Sequence, residues 1–298
     1  MALLLRNHFV QKQDDLHLDD VQSMATDFKS SFSSSEDLSS FSSTWDQANP
    51  LNDLGGEDYS HLLSQYSTPT KIQIDKDGFV ELVDWMGNDL SVVNAARVSY
   101  NRESTEFNER DGKLLKYLWT NHHTSPFRHT FLSFKVRLPI FVLRQWQKHE
   151  IGCAWRFDLN EQSGRYTELK HGYFRPDTWR LQDTKNKQSS FGSLSTEDSQ
   201  KASTLLDFAY FTMDQVYHQL LEMGVAKEQA RIVLPVSTYT ECIWTGSLQA
   251  IMHFLTLRTK PSAQYETRMY AEGIAQLTKT KFPKSMELVE QAIKQSEN

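Results

Sequence analysis

Residues 144–166 read RQWQKHEIGCAWRFDLNEQSGRY, and the rest of the chain is read outward from this stretch. Arginine, lysine, histidine and carboxamide groups surround Trp146, and the stretch runs on into Asn160-Glu161-Gln162-Ser163-Gly164-Arg165-Tyr166. Arginine matches phosphate with a planar fork of donors. Carboxamides can serve both donors and acceptors on a base edge. Glycine lets the backbone approach a ligand closely. Together these groups suit a phosphorylated planar ligand.

Immediately upstream the pattern has period two. Leu132, Phe134, Val136 and Leu138 fall on one face of a strand, and Ser133, Lys135 and Arg137 on the other. Pro139 suits the first position of a helix. That helix is expected to put Val142 and Trp146 on one stripe. It pairs Arg144 with Lys148 and Gln145 with His149 on adjoining stripes, and breaks near Gly152. Further upstream, Ile72 and Ile74, the turn Asp75–Gly78 and Phe79–Val83 predict a hairpin. Asn88 or Asp89 can cap a helix through Arg97, and Asp111 a second helix through Leu118. Pro126 biases Ser125 away from helix.

Downstream, residues 181–201 read as a polar loop. Ala202 to Leu221 keep helical spacing as far as the stop at Gly224. Ala226 to Leu234 form a shorter helix, and Val236 to Trp244 a strand. Ser247 can cap a helix through Leu257, and a last helix runs from about Ser262 to Phe282. Strands and helices without a regular βαβ rhythm predict an α+β fold with an antiparallel sheet packed by helices.

Composition sets the limits. The chain has 298 residues, enough for a sizeable core. A net charge of −6 gives no basic field for nucleic acid, so a small anionic ligand fits better. The two cysteines, Cys153 and Cys242, make neither a disulfide framework nor a zinc site, so no metal is expected and the thiols read as reduced and cytoplasmic. No apolar run is long enough for a membrane span. MALLLRNHFV is followed by no small-residue cleavage site, so no signal peptide is expected. Residues 1–69 differ from the rest: nine serines lie between Ser30 and Ser43, and the segment reads as a mostly disordered extension. A short amphipathic helix around Leu16, Val21 and Phe28 is one exception. The folded unit is expected at 70–298.

From Lys71 to Pro283 the chain resembles the flavin-dependent thymidylate synthases, the ThyX family. FVELVDWMGNDLSVVNAARVSY, ERDGKLLKYL, SPFRHTFLSFKVRLPIFVLRQW, NEQSGRY, ARIVLP, FLTLR and AQYE carry the likeness, in the family's order. The resemblance implies a ThyX-like homotetramer with active sites between subunits. It also implies conversion of dUMP to dTMP, with methylenetetrahydrofolate as carbon donor, FAD as flavin and NADPH as reductant.

By resemblance, dUMP is held by Gln145 and Arg165, with Trp146, Gln147 and Lys148 on the same segment. Glu161, Gln162, Ser163 and Gly164 complete that wall, and Arg231 of ARIVLP adds a further ligand. Arg258 of FLTLR is the implied catalytic residue, near N3 of the uracil. Ser163 is read as a hydroxyl ligand and not as a nucleophile, because no base lies beside it in sequence. FAD is expected against Ser125, Arg128, Lys148, His149 and Glu150, with Glu161 shared. Ser247, Gln249 and His253 add to that set, and His123 is expected near the reacting rings.

The chain departs from the family in its signature. Lys148-His149-Glu150 stands for Arg-His-Arg, and Ile151–Leu159 lengthens the gap that follows. Arg128 replaces an acid, and Ser247-Leu248-Gln249 replaces Asn-Ala-Arg. A compensating exchange of Arg128 with Glu150, with Arg128 taking a FAD phosphate, is one reading. Two other readings of function stay open: a related flavin enzyme making a different 5-substituted pyrimidine nucleotide, and a nucleotide-binding homologue without catalysis.

Overall fold

The period-two segment becomes the middle strand of a five-stranded antiparallel sheet in the computed structural model, which describes residues 70–149 and 159–297. The expected extension, Glu150, Gly152 and Cys153 lie outside the described residues. The strands are β1 (Thr70–Gln73), β2 (Phe79–Met86), β3 (Phe131–Pro139), β4 (Leu159–Glu161) and β7 (Tyr239–Ser247), in the order β1-β2-β3-β7-β4. β5 (Leu181–Gln182) and β6 (Ser190–Phe191) form a separate two-stranded ribbon.

Alternation fixes the faces. Leu132, Phe134, Val136 and Leu138 of β3 are buried. Lys135 and Arg137 point the other way, where both meet Glu241 of β7. The expected hairpin is β1 paired with β2, and Asp75 Oδ1 accepts the Asp77 and Gly78 amides in its turn.

Helices roof the apolar face of the sheet. They are α1 (Asp89–Arg97), α2 (Glu109–Thr120), α3 (Ile140–Trp146), α6 (Leu248–Arg258), α7 (Tyr265–Lys279) and α8 (Pro283–Glu297), while α4 (Thr196–Glu222) and α5 (Lys227–Ala230) pack against each other and add no residue to this core. Residues 248–252, 254 and 255 of α6 are all buried, which makes it the central helix of the layer. Ser247 caps it as expected, with Oγ accepting from the Ala250 amide. No helix among the described residues is long and apolar enough to cross a membrane.

Several expectations are corrected. α3 stops at Trp146, not near Gly152, and Pro139 is its N-cap, not its first residue. The chain leaves the helix in a tight turn in which the His149 amide donates to the Trp146 carbonyl at 3.0 Å. The paired stripes Arg144/Lys148 and Gln145/His149 therefore do not form on a helix. α2 is capped by Asn108, with Asp111 at the third helical position completing a reciprocal capping box. The polar loop at 181–201 contains the ribbon. α4 also starts within it, at Thr196, where Ser195 Oγ accepts from the Asp198 amide at 3.0 Å. The strand expected at 236–244 starts at Tyr239, because Pro235 to Thr238 form a turn. Beyond α7 an unforeseen helix, α8, opens on Pro283.

Asn88 caps α1, so Asp89 is free for another task. Its buried carboxylate accepts from the amides of Lys284 and Ser285 at 2.8 and 2.9 Å, and from the Ser285 hydroxyl at 2.6 Å. Asp89 therefore caps α8 across 196 positions of sequence. Replacing Asp89 with Ala strands these buried donors. The expected loss is about 2–3 kcal/mol, read as a lower urea midpoint at unchanged slope.

Candidate active site

α3 and α6 bring their functional groups together through an aromatic block. Trp146 stacks on Phe254 with ring centroids 4.5 Å apart and meets Trp244 edge-on at 5.0 Å. Trp146 is 2% exposed, so its indole belongs to the core and offers no face to a ligand. The block fixes the segment that follows Trp146 and the last turn of α6.

His149 lies edge-on to Phe254 at 5.0 Å. Its Nε2 accepts from Arg258 Nε at 2.9 Å, and its Nδ1 lies 3.0 Å from the Trp146 carbonyl. Arginine only donates and a carbonyl only accepts, so His149 carries its proton on Nδ1 and is neutral. Burial, and then the Arg258 charge, hold its pKa below the usual histidine value. Burial also lowers that of Arg258. His253 sits on α6 between Gln249 and Arg258, half-buried, and burial lowers its pKa too.

At the start of α6, Arg128 Nε donates to Gln249 Oε1 at 2.7 Å, and Arg128 Nη2 to Thr124 Oγ1 at 3.2 Å. Arg128 is thus partnered by Gln249 and Thr124, and the proposed exchange with Glu150 falls outside the described residues. Ser125 is exposed beside this pair, and exposed His123 stacks on Tyr117 at 5.8 Å. Ser247, 1% exposed, is occupied as the α6 cap.

Gln145 Nε2 donates to Gln264 Oε1, and Gln145 Oε1 accepts from Thr267 Oγ1 at 3.4 Å. Gln147 is half-buried and Lys148 exposed in the turn after α3.

The Asn160–Tyr166 half forms a second group. β4 ends at Glu161, an exposed residue, opposite Cys242, whose buried thiol is pushed up to about 12 by desolvation. Gln162 Oε1 meets His171 Nε2 at 2.9 Å, and Gln162 Nε2 donates to Thr167 at 3.3 Å. Ser163 turns the chain by accepting the Tyr166 and Thr167 amides on its carbonyl. Gly164 is buried against Arg231: a Cβ there would lie 3.3 Å from Arg231 Cδ and from Leu169 Cδ1. Arg165 Nε pairs with Glu228 Oε2 of α5 at 3.1 Å, and Arg231 is exposed just beyond it. Two guanidinium groups therefore flank one tight turn, an arrangement suited to an anion.

Sequence reasoning missed Gln264, Glu266, Thr267 and Arg180, which form one network with Gln145. AQYE held the first two, but their partners Gln145 and Arg180 lie 119 and 86 positions away.

An antiparallel sheet roofed by helices, with guanidinium, imidazole and carboxamide groups gathered on α3, α6 and the turn after β4, defines an α+β enzyme. The family model "Thymidylate synthase complementing protein" matches residues 81–284. A flavin-dependent thymidylate synthase of Kosmotoga olearia is 44% identical over 220 residues, covering 73% of this chain and 92% of that protein. One from Thermus thermophilus is 44% identical over 215 residues, covering 72% and 76%. The UMP/dUMP methylase PolB of Streptomyces cacaoi, bound with 5-Br dUMP, is similar at a TM-score of 0.65 and 35% identity, covering 74% of this chain and 97% of that one. The chain belongs to the flavin-dependent thymidylate synthase family.

The His149–Arg258 contact has a defined pH dependence. The neutral form is favoured, so the contact's contribution is full above the ordinary histidine value of 6.5 and fades as pH falls below it toward the lowered folded value. An NMR titration is expected to place the His149 midpoint below 6.5. Arg258→Ala is expected to raise that midpoint while leaving it short of the ordinary value, because burial remains.

Proposed function

We propose that this chain makes dTMP by reductive methylation of dUMP, using methylenetetrahydrofolate as carbon donor, FAD as bound flavin and NADPH as reductant. The observation that carries the reading is the half-buried Arg258 guanidinium held by neutral His149, in a chain of this family. Activation of uracil at carbon places negative charge on N3 and O4. A guanidinium already fixed there stabilises that charge without reorganisation. A neutral His149 orients Arg258 through one lone pair and adds no competing positive charge.

In this reading Arg165 and Arg231 bind the phosphate, and the tight approach at Gly164 keeps the two cations close. Glu161, Gln162, Ser163 and Gly164 form the nucleotide wall, with Gln145, Gln147 and Lys148 opposite. Flavin supplies the reducing equivalents when bound. The residues present fit it: Arg128 is an exposed cation held by Gln249 and Thr124, suited to a phosphate, with Ser125 beside it. His253 of α6, and His149 from the turn after α3, would line the cofactor's site. The catalytic unit is residues 70–298, with residues 1–69 outside it.

A homotetramer with shared sites is part of the same proposal. Leu205 and Val216 share one stripe of α4 and are 51% and 38% exposed, which supports burial against another copy.

Incubation of the full chain with dUMP, methylenetetrahydrofolate and NADPH is expected to give a product with the mass of dTMP. Arg258→Ala is expected to lower turnover on the order of 100-fold or more. Soluble, FAD-bound protein that yields no dTMP, or a product of another mass, would reject the reading. UMP as parallel substrate tests whether the ribonucleotide is also methylated. Light scattering after gel filtration is expected to give a tetramer mass, and Leu205→Glu combined with Val216→Glu to lower it. A monomer mass for the unaltered chain would reject shared sites.

A further inference from the structure

Gln145 stands at the end of a line of polar side chains that leads away from the site to the β5–β6 ribbon. Its Oε1 accepts from the buried Thr267 hydroxyl at 3.4 Å, and its Nε2 donates to Gln264 Oε1. Gln264 Nε2 donates to Glu266 Oε2 at 2.9 Å. Glu266 Oε1 accepts from Arg180 Nη2 at 2.6 Å. Arg180 Nε donates to Ser190 Oγ of β6 at 3.0 Å, and its guanidinium lies 4.9 Å from the centroid of the Tyr265 ring.

The direction of this line is not arbitrary. A carboxamide can turn over and exchange its donor end for its acceptor end, so an isolated pair of amides has two near-equivalent arrangements. A carboxylate facing a guanidinium offers only acceptors. Gln264 must therefore turn its NH2 group to Glu266 and its oxygen to Gln145. Gln145 must in turn give its NH2 group to Gln264 and its oxygen to Thr267. One N–H and one lone pair of Gln145 remain, each pointing in a set direction. The Glu266 side chain is 6% exposed and that of Arg180 25% exposed, so this charge pair is largely withdrawn from water. Pairs of that kind add little net stability, and orientation is the benefit they can supply.

We propose that Arg180 and Glu266 are positioning residues for the nucleotide: through Gln264 they fix which end of the Gln145 carboxamide faces dUMP. The proposal rests on Gln145 being a dUMP ligand. It gives the β5–β6 ribbon a function, as the strut that carries Arg180 to the pocket.

The test is direct dUMP binding by calorimetry, with steady-state kinetics, on the full FAD-loaded protein. Glu266→Gln keeps the size of the side chain and lets both amides turn over. Arg180→Ala removes the anchor from the more accessible end. Each is expected to raise the dUMP Kd and KM roughly tenfold, the effect of one misdirected hydrogen bond, with kcat changed far less. Flavin retention stays close to the unaltered protein, the thermal midpoint falls most for Arg180→Ala because it leaves the Glu266 carboxylate unpaired, and Arg180→Lys recovers most of the loss. Gln145→Ala is run beside them. If it weakens dUMP binding while Glu266→Gln and Arg180→Ala do not, the relay is wrong and the nucleotide reading stands. If Gln145→Ala leaves dUMP binding unchanged, Gln145 is not a ligand and both fall. Loss of flavin in step with dUMP would make the network merely structural and overturn the proposal.

Discussion

The aromatic block of Trp146, Trp244 and Phe254 is the constraint on which the site depends. It joins the end of α3 to β7 and to the middle of α6, two successive elements that lie far from α3 in sequence. Truncating any one ring in such a block costs about 3–5 kcal/mol, because the cavity left behind cannot collapse. The more specific consequence is positional. His149 follows Trp146 by three residues and Arg258 follows Phe254 by four. Locking the two rings at 4.5 Å therefore brings imidazole and guanidinium within hydrogen-bonding reach.

α6 orders the polar groups along this block. Its first turn holds Gln249 against Arg128, its middle carries His253, and its last turn carries Arg258. The rise of a helix, about 1.5 Å per residue, spreads these groups over roughly 13 Å. A ligand lying along the helix would meet a guanidinium at each end and imidazoles between. The intervening apolar residues are committed to the core, so side-chain choice at the polar positions can vary without disturbing the fold. The substitutions at Arg128 and Gln249 fit that freedom: their side chains pair with each other at the edge of the layer.

Much of the fold was legible locally. The β1–β2 hairpin, the faces of β3 and the Ser247 cap are each written in a few adjacent residues, and each is present. The misreadings share a cause. α3 ends at Trp146, whose ring packs on distant elements, α2 takes the earlier of two eligible caps, and the ribbon hides in a segment with little apolar content. The residues of the site were named from family resemblance, and their types do suit the chemistry. What the sequence could not convey was connection. AQYE was visible as a motif, but nothing local links Gln264 to Gln145 or Glu266 to Arg180, since those contacts exist only after the chain has folded back. Asp89 is the sharpest case: it stands next to the cap of its own helix and caps another.

That last contact also bears on how the molecule comes to be made. A chain emerging in order folds its early segments first where it can. Asp89 is among the first residues of the sheet-and-helix unit, while Lys284 and Ser285 belong to its last helix. Until those late residues arrive, a carboxylate destined for the interior has no donors to meet it and is better left in water. The early helices are therefore discouraged from closing over the core prematurely. The arrival of α8 supplies the donors that let Asp89 be buried.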